Sequence, residues 1–310
     1  MLEFRPLSVA DKEKMEKICY ESSCPGPENC FNSMFIWRHL YKPEIAYYGE
    51  QVILRFMAYK KPTYSFPMGP GNLDEALEAM KDHADSMGER FIVMGHGEEQ
   101  ATRLEIAMPG CFDVTWDRDY SAYIHTVDSL ADYPGKSLHS KRNFCNQFEA
   151  NNEWAFVPIS GELIPQCMAF MDKWLLENAE RLDSSVSQEL TALLTAFENF
   201  DALRLEGGAL YANGEMVGFT MGEKCTDNCF ICHFEKARYD VKGSYPMVCR
   251  ELARMVRENH PGLKYINREE DMGIEALRRS KLSYKPEFLL HQFFARCIDE
   301  SVEDSGIYRI

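Results

Sequence analysis

No stretch of the 310 residues comes near 18 uncharged apolar side chains in a row, so no membrane-crossing helix is expected. The opening residues, Met1 to Leu7, place Glu3 and Arg5 where a secretory leader needs an apolar core, and the chain reads as soluble and unexported. Positive charge is scarce as well. With 34 Lys and Arg against 49 Asp and Glu, the formal net charge is −15, which excludes a general nucleic-acid coat, DNA among the partners, and a polybasic membrane anchor. Only local cationic patches remain to grip an anion. A disulfide framework is missing too: 11 cysteines are an odd number scattered over a long chain, which suits reduced thiols in a cytoplasm and core-filling roles for most of them. What is present is 45% hydrophobic and 27% charged, the composition of an ordinary globular protein, long enough for two domains.

The two domains are expected to be copies of one mixed α/β unit. Gly49-Glu50-Gln51-Val52 and Gly214-Glu215-Met216-Val217 echo each other, and the element order around them repeats. In the first half an alternating hairpin, Ile45 to Tyr59, leads to a helical stripe of Leu73, Ala76, Leu77, Met80, Ala84 and Met87, and then to a strand at Phe91 to Met94. In the second, a hairpin at Ala209 to Thr220 and a strand near Cys229 to Glu235 precede a helix with Tyr245, Val248, Cys249, Leu252, Met255 and Val256 on one face. A strand at Leu263 to Asn267 follows. Three further helices are expected over Gly135 to Ala150, Leu163 to Asn178 and Ser185 to Phe200. The expected division is 1–120, 121–298 with the site, and an acidic tail, 299–310, that frays. Pro62, Pro67, Gly69, Pro70 and Gly71 crowd a stretch expected to be surface loop, neither central strand nor helix.

Three constellations can carry chemistry. Lys242-Gly243-Ser244-Tyr245, between a strand and a long helix, supplies a tight turn, a capping hydroxyl, a cation and a helix start, the ingredients of a phosphate rest; the plainer alternative is a well-capped helix. Asn267-Arg268-Glu269-Glu270-Asp271 follows the last strand of the second unit, at the carboxyl end of a mixed sheet where ligands collect; there a carboxylate can take a proton from an attacking amine while Arg268 holds an anion, or the run can simply be solvated loop. His139-Ser140-Lys141-Arg142-Asn143 and the cation-rich end of Glu275 to Pro286 make two positive patches in an acidic chain. A fourth, Cys225-x3-Cys229-x2-Cys232-His233, has metal or cluster spacing. It is rejected as a metal site, because the residues read as a hairpin with its turn at Thr226-Asp227-Asn228, and strand alternation then puts Cys229 and Cys232 on opposite faces. Cys24 and Cys30 flank Pro25-Gly26-Pro27, and nothing in the spacing joins them to that hairpin.

Leu138-His139-Ser140-Lys141-Arg142-Asn143-Phe144, Glu235-Lys236-Ala237 with Lys242 to Pro246, Asn267 to Gly273, and Lys281-Leu282-Ser283-Tyr284-Lys285-Pro286 together resemble the bacterial family named after the phosphatidylglycerol lysyltransferase C-terminal domain. Phe31 to Trp37 fits its N-terminal pattern, and the resemblance covers about residues 2 to 296. It implies two tandem acyltransferase folds of the GNAT superfamily, each a mixed central sheet flanked by helices. It implies also a transferase that passes an acyl or aminoacyl group from acyl-CoA or aminoacyl-tRNA, with no tightly bound cofactor, to an amine or hydroxyl on a small-molecule or peptide acceptor. Two departures stand out: the membrane-spanning part is missing, and the Arg238 to Tyr245 loop lacks the usual pyrophosphate pattern. By their positions after expected strands, Glu269 or Asp271 is assigned to base or amine recognition, Tyr284 to a hydrogen bond on the leaving group, and Arg268, Lys141, Arg142, Lys242, Gly243, Ser244 and Tyr245 to binding the donor. The competing expectation from another class is a module that keeps the fold and binds a phosphorylated ligand without turnover.

Overall fold

The computed structural model describes residues 2–22, 24–178 and 184–298. The acidic tail expected to fray, 299–310, lies outside the described residues. In chain order the strands are Arg5–Pro6 (β1), Glu44–Tyr48 (β2), Gln51–Ala58 (β3), Lys61–Ser65 (β4), Ile92–His96 (β5), Phe112–Thr126 (β6), Trp154–Pro158 (β7), Glu206–Ala212 (β8), Glu215–Lys224 (β9), Cys229–Ala237 (β10), Tyr265–Asn267 (β11) and Phe288–Cys297 (β12). The chain divides into two compact units that are discontinuous in sequence, unlike the contiguous division at 120–121. Ser8–Leu40 belongs with Asp119–Leu290, and residues 291–298 belong with residues 2–7 and Tyr41–Arg118.

In the first unit the strand order is β1-β2-β3-β4-β5-β12, with every neighbouring pair antiparallel except the parallel β4 and β5. The parallel step needs a crossover, and the helix Leu73–Ser86 provides it. Asn72 caps its start by accepting the Asp74 N–H at 3.0 Å; Ala76, Leu77, Met80 and Ala84 recur at helical spacing and are buried, the last three in one core with Ile53 and Val93. The expectation for the Pro/Gly stretch is corrected here: Pro62 lies in β4, a central strand, opposite Met57 of β3. Proline is tolerated because β4 pairs with β5 only from Tyr64 onward, so the missing Pro62 N–H interrupts no ladder on that side.

In the second unit the order is β6-β11-β10-β9-β8-β7, again antiparallel except for one parallel pair, β10 and β11. The helix Ser244–Asn259 makes this crossover and buries Met247, Val248, Cys249, Leu252, Ala253 and Val256 against Leu210, Val217, Phe230 and Ile266. Each of the Met, Val, Leu, Phe and Ile side chains among them contributes about 1.5–3 kcal/mol, as an upper estimate. Each half of the chain runs as an antiparallel meander, a crossover helix, a parallel strand, a further helix (Gly97–Ala107, Glu275–Leu282) and a long strand, and the two long strands are exchanged: β6, which ends the first half, pairs antiparallel with β11, and β12, which ends the second, pairs antiparallel with β5. This is the expected tandem GNAT-like repeat. Its sequence echo marks equivalent hairpin turns, where Gly49 and Gly214 both take positive φ.

Two local expectations need correction. The helix foreseen from Gly135 begins only at His139, because Tyr133 and Gly135 both adopt left-handed φ, 46° and 71°. Cysteine chemistry also differs: Cys30 and Cys225 form a disulfide that ties the Ser8–Leu40 segment to the end of β9, the link that spacing did not reveal. The β9–β10 hairpin itself is as expected, and Cys229 and Cys232 stand three residues apart on one strand, with Cys232 in the helix-side core.

Candidate active site where two strands part

β10 and β11 pair in parallel over three residues only, ending at Ile231 and Asn267. β11 stops there, while β10 runs on to Ala237 against β9 alone. Beyond Ile231 the β11-side edge of β10 thus has no ladder partner among the described residues. The divergence coincides with a bulge, since the register with β9 shifts between Cys232 and Phe234. A bulge inserts one residue and resets which face the following side chains occupy. Before it, Ile231 opposes Glu223; after it, Glu235 opposes Thr220, whose hydroxyl also touches the Cys232 thiol. His233, which bonds to Glu223, is therefore on one face and Glu235 on the other. An unbroken strand would have put both on the same face.

The loop after β11 reaches across to both. Asn267, fully buried, directs it by donating Nδ2 to the Pro25 carbonyl at 2.7 Å and accepting the Glu269 N–H at 2.7 Å. Glu269 then takes left-handed φ, 53°, a conformation a non-glycine residue holds only when its surroundings impose it. Its Oε1 lies 3.0 Å from His233 Nδ1, and His233 Nε2 lies 3.1 Å from Glu223 Oε1. Burial alone would lower the His233 pKa, but the bonds to Glu223 and Glu269 overturn that and hold it up at about 9. Burial pushes the Glu223 carboxyl up, against the pull of His233. The result is a carboxylate–imidazolium–carboxylate chain whose inner two members are closed to water and whose outer member, Glu269, is 18% exposed. Glu269 Oε2 has no protein partner among the described residues.

Arg268 points to the other face. Its Nη2 donates to Glu235 Oε1 at 2.7 Å, and its guanidinium carbon stands 4.3 Å from the centre of the Tyr284 ring. Lys141, from the helix His139–Asn151, places its Nζ 3.7 Å from the same ring. Two cations over one aromatic ring in a buried setting compete: burial and then Arg268 lower the Lys141 pKa to about 8. Arg268 Nη1 and Glu235 Oε2 are buried without a protein hydrogen bond, as are both ring nitrogens of His125 in β6. Burial, then the charges of Arg268 and Lys281, keep that imidazole neutral.

Asp271 is built differently. Fully buried, it accepts from the Tyr123 hydroxyl at 2.6 Å, from Arg278 Nε and Nη2 at 3.0 and 2.8 Å, and from the Gly273 N–H at 3.0 Å. A carboxylate with that many donors fixes a loop and has no lone pair facing a substrate. Lys281 completes the clamp by donating to the Arg268 and Glu270 carbonyls. Its ammonium pKa is lowered by burial, and Glu270 beside it is raised by burial and by Glu269.

The expected phosphate rest does not gather into this arrangement. The Ser244 hydroxyl donates to the Arg238 carbonyl at 2.6 Å, the Ser244 N–H goes to Val241, and Pro246 has none. Gly243, φ 89°, is pressed against the neighbouring helix: an added Cβ would stand 2.5 Å from the Phe144 carbonyl oxygen. Lys242 lies 5.8 Å from the Phe144 ring and borders a separate shallow pocket with Gln147, Asn151, Asn152 and Asp240. Tyr245 stacks on Tyr239 with centroids 5.1 Å apart. Arg142 caps the preceding helix, donating to the Tyr133 and Gly135 carbonyls. These residues serve the packing of two helices. Gly243→Ala should accordingly cost about 1–3 kcal/mol through overpacking and left-handed strain, read as a lower denaturation midpoint with an unchanged m-value.

Of the foreseen residues, the structure thus gathers Arg268, Lys141 and Tyr284 on one face of the parting strands and Glu269 on the other. His233, Glu223, Glu235 and His125 were not foreseen as site residues, whereas Arg278 and Lys281 belong to the cation-rich patch of Glu275 to Pro286. His233 and Glu235 were visible in a strand, but only the bulge separates their faces, and a bulge leaves no mark in the hydrophobic alternation of Phe230 to Lys236.

The model of the family described as phosphatidylglycerol lysyltransferase, C-terminal, matches residues 23–296. An uncharacterised protein of Mycoplasmoides gallisepticum is 30% identical over 183 residues, 57% of this chain and 56% of that protein, so the match spans little more than half of that relative. A conserved protein of unknown function from Bacteroides thetaiotaomicron is 32% identical, with 96% of this chain and 100% of that one covered and a TM-score of 0.91. L-PGS from Bacillus licheniformis (16% identity, 94% and 93% covered, TM-score 0.65) and FemX (10%, 96% and 97%, 0.60) share the fold. No helix of the described residues is long and apolar enough to cross a membrane.

Proposed function

The chain belongs to the family of phosphatidylglycerol lysyltransferase C-terminal domains, and from that premise we propose that its second unit transfers an aminoacyl group from aminoacyl-tRNA to an amine or hydroxyl by direct attack. The observation that carries the reading is the parting of β10 from β11 at Ile231 and Asn267, with one unsatisfied carboxylate oxygen, Glu269 Oε2, beside it. A strand edge released from its ladder offers backbone N–H groups to a carbonyl oxygen that gains charge during attack. Glu269 accepts the proton of the nucleophile. The new C–N or C–O bond forms as the ester bond to the carrier breaks, and the carrier hydroxyl leaves with the bonding pair and one proton, so no covalent enzyme intermediate is needed.

Arg268, with Nη1 unspent, and Lys141 form the anion grip for the donor, and Tyr284 is held between them rather than free to roam. Aminoacyl-tRNA is favoured over acyl-CoA because the helix start that binds a pyrophosphate in other acyltransferases is here filled by Phe144, Val241 and Arg238. The acceptor class remains a small amine, hydroxyl compound or peptide. The test is transfer of radiolabel from a mixed aminoacyl-tRNA pool, and in parallel from acetyl-CoA, to fractionated bacterial metabolites, peptides and lipids. The reading expects product from the tRNA arm alone; product from the acetyl-CoA arm alone reverses the donor, and tight donor binding without product in any fraction returns the binding-module reading.

A further inference from the structure

Glu269 cannot be considered apart from what stands behind it. Left-handed φ at a glutamate, a bulge at the residue it bonds to, and an Asn267 side chain bonded at both ends are three independent constraints on one carboxylate. All three serve to bring Oε1 onto His233, in a side chain that stays 18% exposed. The Glu223 side chain is only 5% exposed, and Lys12 and Glu16 of the Lys12–Ser22 helix act on it.

We propose that Glu223 and His233 are positioning residues for the transfer reaction: held as one proton-sharing chain with Glu269, they fix its Oε1 and thereby aim Oε2 at the nucleophile. This rests on the transferase reading above. The chain of three holds two protons in either of its forms, an imidazolium between two carboxylates or a neutral imidazole beside one protonated carboxyl, because both His233 bonds need a hydrogen. The step itself balances simply. The nucleophile's N–H or O–H bond breaks, its electron pair goes into the new bond to carbon, and the proton rests on Oε2 until it leaves with the carrier or to solvent. His233 neither gains nor loses a proton in it.

Charges facing the chain come from every neighbouring element. Lys12 and Glu16 act on Glu223 from the Lys12–Ser22 helix, with the Cys19 thiol and the Tyr20 hydroxyl beside them. Glu270 and Lys281 stand near Glu269 on the loop side. With these in place the imidazolium persists to about pH 9, and aiming is retained below that value and lost above it. The sign follows from a raised pKa: the charged form, and both bonds, exist on the acid side.

The experiment uses the full chain with ¹⁵N-labelled histidine and, in parallel, the pH dependence of transfer from the mixed aminoacyl-tRNA pool. The wild type should show the His233 resonance doubly protonated through pH 8, and Glu223→Gln, which keeps shape and a hydrogen-bonding partner, should lower its titration by about one pH unit or more. The alkaline limb of the transfer rate should move down by the same amount. His233→Gln should cut the rate about 10- to 100-fold while leaving donor binding, read by filter retention of the aminoacyl-tRNA, within twofold. A limb that stays fixed while the resonance moves would overturn the positioning role and leave the transferase standing. A wild-type chain that transfers nothing overturns both.

Discussion

Glu269→Gln should lower transfer by about 10²- to 10⁴-fold with the fold intact. The substitution keeps the size of the side chain and an oxygen for His233 Nδ1, so the left-handed turn at 269 and the Asn267 bonds have no reason to change. What it removes is the carboxylate Oε2 that receives the proton. The loss should fall on the turnover number and not on donor affinity, because the grip proposed for the donor, Arg268 and Lys141 over Tyr284, is on the other face of β10. Rates are read in single turnover with excess enzyme, and thermal unfolding is read alongside. A rate within threefold of wild type would remove Glu269 from the chemistry.

The second large effect is one of stability. Asp271→Ala deletes an acceptor that holds Tyr123, Gly273 and two nitrogens of Arg278, and among the described residues it leaves Arg278 with Asp119 to answer its charge. Arg278 is 30% exposed and keeps Asp119, so the loss falls mainly on the buried Tyr123 hydroxyl, which gives up this acceptor at a cost of about 1–3 kcal/mol. Urea denaturation should show a loss of that order, and transfer at low temperature, where the fold survives, should fall in step with loop order. The two carboxylates two residues apart thus separate by experiment: one substitution stops the reaction in a stable protein, the other unsettles the protein. If Asp271→Ala were stable and inactive, the roles would be exchanged.

How much of this was legible beforehand depends on what each feature is made of. The duplicated α/β order was readable because helices and strands announce themselves by period, and Gly49 and Gly214 by the turns they allow. The loop Asn267 to Asp271 was readable as a candidate site because polar residues at a strand's end have few structural uses. The split between Glu269 and Asp271 was not, since both are acids in one run and only the donors around Asp271, drawn from residues 123, 273 and 278, tell them apart. Lys242 to Tyr245 misled for a physical reason: a glycine with positive φ before a helix looks the same in sequence whether it opens toward a ligand or, as here, admits the Phe144 carbonyl. Arg142 was rightly read as basic, yet its charge caps a helix. The Cys30–Cys225 link joins residues brought together only by folding, and no local spacing encodes it.

The most direct test is a crystal structure of the full chain with an amide-linked 3′-aminoacyl adenosine, a donor mimic that cannot react. The account expects its carbonyl carbon beside the free edge of β10 past Ile231, the carbonyl oxygen bonded to a backbone N–H, and Glu269 Oε2 within about 3–5 Å of the approach to that carbon. A mimic seated in the first unit, or at the Gln147–Lys242 pocket with Glu269 remote from its carbonyl, would contradict it.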